Sequence, residues 1–244
     1  MEFVSANPGR AVATVDRTLT RWHAEGRVEQ VKRGLYVRLD RGGGLLPDFA
    51  LVAARMAPDA AAAYHTALEV HGCAQSLVER FTFVTWSKVK PLVWRRRGIL
   101  PVRPRRALEK DQGEPWIEVR ERSGQTLRVT SIERTVVDVL DRPHLAGGIE
   151  EVWRSLDSVP AIDPVSLLEY VLRLEDPKIA ARVGYYVDSR RDELAVPAVT
   201  LEALRVMLPS RPVFMDRRLG GSLDERWRVI VPDEFSDPHE DIEA

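Results

Sequence analysis

Arg17, Thr18 and Arg21 fall within five residues of one another, with Thr14 one turn upstream and Arg10 one turn before that. Val15, Leu19 and Trp22 recur at i, i+4 and i+7 in the same stretch, which is the apolar face of a helix. The polar residues then share the opposite face. Guanidinium groups on such a face can pair bidentately with guanine edges or hold phosphate oxygens. The plainer alternative is a solvated face of an amphipathic helix. Eleven residues beyond Arg21, Lys32 and Arg33 precede Gly34, the spacing of a basic turn between two short strands. Such a turn can touch phosphate without reading sequence.

The elements that must position these side chains are a helix, a stop at Gly26, a strand, the basic turn and a second strand, all within residues 13–37. That order predicts the second half of a winged helix-turn-helix. About ten residues, among them Pro8-Gly9, precede it, so the expectation is either a truncated chain start or a module that lacks the two helices that usually come first. Three consecutive glycines, Gly42 to Gly44, predict a linker. The expected organisation is a DNA-binding winged-helix remnant over 1–41, a larger domain over 45–232, and an acidic tail over 233–244.

The fold class expected is α+β, with the winged module followed by a mixed domain that has a small sheet and a helical C-terminal half. Helices are predicted over 48–56 and over 60–71, the second closed by Gly72. Strands are predicted over 81–86, 116–120, 127–129 and 227–231, with a proline-broken basic stretch over 88–110. Thr130 and Glu133 match a capping box opening a helix to about Asp141, before Pro143. Residues 148–156 form the next helix. Asp163-Pro164 and Asp176-Pro177 read as N-cap and first-turn pairs. The first opens a helix with Leu167, Leu168, Val171 and Leu172 inward, the second one with Ile179, Val183, Tyr186 and Val187 inward. Thr200 is expected to cap a helix over 201–208.

Composition sets further bounds. Cys73 is the single cysteine, so neither an intrachain disulfide nor a cysteine-rich metal site can form, and a cytoplasmic setting is expected. No stretch approaches the roughly 18 apolar residues of a membrane span, and no membrane partner is expected. The net charge of −1 conceals asymmetry: +3 over 1–41, −3 over 42–79, +8 over 80–128 and −9 over 129–244. The densest basic run is Arg95, Arg96, Arg97, Arg103, Arg105 and Arg106. It reads either as a second polyanion contact or as a loop that keeps a sheet edge soluble, and the second is preferred. His65 and His71 are six apart, off the spacing of one helical face, so no metal site is expected there. Glu133, Arg134, Asp138 and Asp141 form a charged constellation in which Arg134 and Asp138 stand at i, i+4 and can pair. No activated nucleophile accompanies them, so their expected role is to maintain the fold or to face a partner, and no catalytic residue or cofactor is expected.

Four stretches resemble one protein family: Arg33-Gly34-Leu35-Tyr36-Val37; residues 64–72, YHTALEVHG; residues 130–156, TSIERTVVDVLDRPHLAGGIEEVWRSL; and Arg182-Val183-Gly184-Tyr185-Tyr186, where the family carries an Arg-Leu-Gly run. The resemblance is to the AbiEi antitoxins of bacterial abortive-infection (type IV) toxin–antitoxin pairs. It implies an N-terminal winged helix that binds operator DNA at inverted repeats and represses its own operon, as a dimer or a cooperative pair. It implies a C-terminal domain that counters a nucleotidyltransferase-like toxin, and no enzymatic activity. The alternative is a DNA-targeted nuclease or other enzyme with a winged-helix head, and a nuclease needs clustered acids with a lysine. Asp216, Asp224, Asp233 and Glu234 are the acids available for it, and Lys178 is the last lysine in the chain.

Overall fold

The computed structural model describes residues 12–39 and 47–235, with side chains from residue 17 onward. The fold is α+β. Helix α1 (Val12–Ala24) stops at Gly26, whose φ of +65° suits a residue without Cβ. Strands β1 (Val28–Lys32) and β2 (Leu35–Arg38) form an antiparallel hairpin that turns at Arg33-Gly34. Helix α2 (Phe49–Ala53) starts where Asp48 Oδ1 accepts the Ala50 and Leu51 amides. Every residue of this short helix is buried.

A six-stranded mixed sheet forms the centre. Its strands are β3 (Ala61–Ala62), β4 (Arg80–Val84), β5 (Leu92–Trp94), β6 (Arg97–Val102), β7 (Ile117–Arg122) and β8 (Gln125–Thr130), in the spatial order β5-β6-β4-β3-β8-β7. The β4–β6 and β3–β8 pairs are parallel and the others antiparallel. Two expectations change here. Residues 60–71 are not one helix: Ala61 and Ala62 are a central strand, and helix α3 covers only His65–His71, ending at Gly72 as expected. The stretch 88–110 holds two strands rather than an irregular run.

The helical half follows β8: α4 (Ile132–Asp141), α5 (Ile149–Asp157), α6 (Pro164–Leu174), α7 (Pro177–Ser189) and α8 (Ala198–Val206). Asp163 and Asp176 cap α6 and α7 as the sequence predicts, each carboxylate accepting an amide two residues on. The cap of α4 is Ser131, not Thr130: Ser131 Oγ accepts the Arg134 amide, while Thr130 is still in β8. Helix α8 begins after Pro197 with no side-chain cap, so Thr200 lies inside it. Leu172 on α6 is exposed, and Tyr170 and Leu174 are buried in its place. A small sheet of β9 (Val213–Phe214), β10 (Ser222–Asp224) and β11 (Val229–Val231) closes the chain in the order β10-β11-β9.

The main core joins α3–α8 to one face of the sheet. A second cluster joins Val31, Leu35 and Val37 of the hairpin to Phe49 and Met56 and to Phe81, Phe83, Trp94 and Ile99 of the sheet. The β1–β2 hairpin and the region from Phe49 onward therefore share a core.

Candidate nucleic-acid interface

The expected interface lies on α1 and the hairpin. Leu19 is buried and Trp22 half-buried, so the helix docks by the face its apolar spacing predicts. Arg17 and Arg21 are exposed and Thr18 is half-buried. The Arg21 Nε is 3.6 Å from Glu25 Oε1, an exposed i, i+4 pair that contributes little and can be exchanged for an anion. Arg10 and the Thr14 side chain lie outside the described residues.

Next, the hairpin turn separates two residues that the sequence treats alike. Arg33 is exposed beside Gly34, whose φ is +81°. Lys32 turns to the body instead, its Nζ donating to the Met56 carbonyl at 2.5 Å. That bond fastens the hairpin to the turn after α2 and takes the ammonium away from its own turn. Arg33 is thus better placed than Lys32 to meet a phosphate.

The basic run over 95–106 does not form one patch. Arg95 donates from Nε to Glu29 Oε2 at 2.8 Å, and the Trp94 Nε1 donates to Glu29 Oε1 at 2.8 Å, which ties the β5–β6 turn to β1. The Arg97 guanidinium stacks on Phe49 at 4.8 Å. Arg103 covers Trp86 and donates to its carbonyl. Arg105 bridges Asp141, at 3.0 Å from its Nε, and Asp176, at 3.2 Å from its Nη1. Arg106 is exposed, 4.0 Å from Glu109, and Arg96 is exposed at the turn. The hairpin and the helical turn that follows it send these side chains to different sides of the sheet.

The constellation on α4 is interior rather than on the helix surface. Arg134 and Asp138 pair at 3.2 Å with both side chains buried. The Tyr170 hydroxyl donates to Asp138 Oδ1 at 2.7 Å, and Arg134 Nη1 donates to the Gly113 carbonyl at 3.4 Å. Burial pushes the Asp138 carboxyl above its ordinary range against the pull of Arg134, and raises the Tyr170 hydroxyl well above its own. This network ties α4 to α6 and to the loop before β7. Glu133 accepts the Asp163 amide at 3.0 Å, linking α4 to the start of α6 instead of capping its own helix.

One buried acid was not legible in the sequence. Glu151 Oε1 accepts the Gln75 and Ser76 amides at 3.1 and 3.0 Å and the Ser155 hydroxyl at 2.9 Å, and the Ser76 hydroxyl bonds its other oxygen. The His65 Nε2 stands 3.3 Å away, off the line of a hydrogen bond. Ser76 thus faces a carboxylate directly rather than an imidazole, which is not the relay a nucleophilic serine needs. The His71 Nε2 donates to the Thr130 carbonyl at 2.8 Å. Asp224 caps the Trp227 amide at 2.6 Å and Asp233 accepts the Ser222 hydroxyl at 2.9 Å. Among the described residues, no three histidine, cysteine or acidic side chains converge as a metal ion requires, and no helix is long and apolar enough to cross a membrane.

No protein-family model matches the chain, and no curated protein matches it in sequence. Its fold is shared with a solved structure. The crystal structure of the RV2827C protein from Mycobacterium tuberculosis superposes with a TM-score of 0.60 over 91% of this chain and 80% of that one, at 16% identity. At that identity the likeness speaks for the fold alone.

Proposed function

We propose that this chain is a DNA-binding autorepressor and antitoxin of a bacterial toxin–antitoxin operon, of the AbiEi kind. In this reading α1 is a recognition helix and the β1–β2 hairpin a wing. The partners are operator DNA with inverted repeats, bound by a dimer or a cooperative pair, and a nucleotidyltransferase-like toxin countered in the cytoplasm by the C-terminal half without catalysis. The observation that carries the reading is the exposed Arg17 and Arg21 face of α1, followed at once by a hairpin whose turn exposes Arg33. A helix face with exposed guanidinium groups fits the major groove, and a basic turn beside it fits the flanking backbone.

The test is a gel shift on the promoter upstream of the gene. Arg17→Ala/Arg21→Ala should weaken binding by about tenfold or more, since each bidentate base contact is worth about 1–3 kcal/mol. Arg33→Ala should weaken all sequences alike and flatten the salt dependence by about one phosphate. Equal binding by wild type and the α1 double variant would overturn the assignment of the recognition helix.

A further inference from the structure

On another side of the sheet lies a cleft of about 800 Å³ that the α1 face does not border. Three arginines line it: Arg80 at the start of β4, Arg96 in the β5–β6 turn, and Arg218 in the turn after β9. They come from three separate parts of the chain. All are exposed, and none has a carboxylate within ion-pair distance among the described residues. This sets them apart from their neighbours in sequence. Arg95 is held by Glu29, Arg105 by two aspartates, and Arg97 by a phenyl ring.

The backbone that presents Arg96 is costly. Arg95 and Arg96 form a two-residue hairpin connection with φ of +48° and +64°, a conformation that asparagine and glycine adopt readily and arginine does not. Strain of this kind is kept where a side chain has work to do. Arg95 explains its own place by anchoring the turn to β1, and its anchored turn leaves Arg96 over the cleft. Opposite Arg80 in the sheet stands Gly98, which adds no side chain and keeps the mouth open.

The remaining wall suits the rest of a ligand. Val78, Pro143 and Leu145 give it an apolar side, and the Gly147-Gly148 turn brings backbone close without side chains. The volume lies within the roughly 300–1,000 Å³ of small-molecule sites. Two acids, Glu79 and Asp216, also line it, but Asp216 is engaged in its own turn, its Oδ1 accepting the Arg218 amide at 2.7 Å. Unpaired guanidinium forks converging on a part-apolar cleft select a phosphate attached to an organic body.

We propose that this cleft binds a phosphate-bearing ligand of nucleotide size, through Arg80, Arg96 and Arg218. The phosphate can belong to a free nucleotide or to a nucleic-acid chain, and the inference does not rest on α1 being a recognition helix. The full chain is titrated calorimetrically with ATP and with inorganic pyrophosphate, and by fluorescence anisotropy with labelled duplex DNA. The comparison is between wild type, Arg80→Gln/Arg96→Asn/Arg218→Gln, and Arg17→Ala/Arg21→Ala. Asparagine tolerates the turn and the other two sites are exposed, so the triple variant should keep the wild-type melting temperature. A free nucleotide as the source predicts ATP binding that falls about tenfold or more in the triple variant and is unchanged in the α1 variant. A nucleic-acid source predicts no ATP or pyrophosphate binding and the same loss seen with DNA. Equal affinities of wild type and a folded triple variant for all three probes, or no binding of any, overturns the proposal.

Discussion

Glu151 shows how much one side chain can organise. It sits on α5 with its carboxylate inside the protein, where burial alone would raise its pKa. The hydrogen bonds from Ser76, Ser155 and Gln75 outweigh that burial and hold the carboxyl below its ordinary value of 4.5. A folded-state pKa below the unfolded one means stability that is present above about pH 4.5 and is lost as pH falls through the folded value. Glu151→Gln removes the charge-assisted part of these bonds and should cost about 1–3 kcal/mol at pH 7. The gap between the melting temperatures of wild type and variant should narrow steadily below pH 4.5. A gap that stays constant from pH 7 to pH 3 would show that the carboxylate does not carry this stability. The buried Arg134–Asp138–Tyr170 network has a similar duty by different means, since it satisfies an unavoidable interior charge by pairing it.

At the scale of elements, what the sequence reveals depends on whether local or distant contacts decide. Asp163-Pro164 and Asp176-Pro177 were legible because a cap and its first turn are local. The α4 cap falls one residue later than the Thr130 pattern predicts because β8 continues through Thr130, paired with Ile117 thirteen residues earlier. Ala61 and Ala62 have strong helical propensity, yet sit fully buried between β4 and β8, where only tertiary pairing makes them a strand. Pro101 lies inside β6, in the stretch expected to be broken by prolines. It is tolerated because β5 pairs β6 only as far as Ile99, so past that point β6 needs no donor on that side. The exposed Arg17 and Arg21 on α1 are readable from periodicity, whereas the cleft arginines, drawn from the start of β4, the β5–β6 turn and the turn after β9, give no sequence pattern. The run Arg182-Val183-Gly184 now has a physical reading. Arg182 donates to the Leu140 and Asp141 carbonyls at the end of α4 and to the Phe214 carbonyl of β9. Gly184 lets the fully buried Trp227 lie against α7: a Cβ there would come within 2.1 Å of the indole. Gly184→Ala should therefore destabilise by about 1–3 kcal/mol or more. For a chain of this size each kcal/mol is about 2–4 °C in melting temperature. An unchanged melting temperature would mean that Trp227 does not pack on α7 in this way.

For the whole molecule, the question is whether the α1–hairpin segment is an appendage or part of the body. Its sequence suggests an appendage, joined through Gly42 to Gly44. The packing argues otherwise. Val37 is completely buried, and with Val31 and Leu35 it covers Phe49, Met56, Phe81 and Trp94. Lys32 and Glu29 add polar ties to α2 and to the β5–β6 turn. Removing the hairpin would bare these aromatic side chains to water, at about 25 cal/mol for every Å² of apolar surface exposed. The hairpin and the sheet should consequently unfold together. In denaturant titrations, fluorescence of the tryptophans and far-ultraviolet circular dichroism should give coincident transitions. Val37→Ala should lower that single midpoint, by about 2 kcal/mol, rather than split the curve. An early separate step in Val37→Ala would make the hairpin an independent unit. The exposed Arg17 and Arg21 take no part in this core, so on the proposed DNA-binding reading replacing them should leave the midpoint in place while weakening DNA binding, and Val37→Ala should impair both. That contrast separates a residue proposed to meet DNA from one that holds the hairpin on the body.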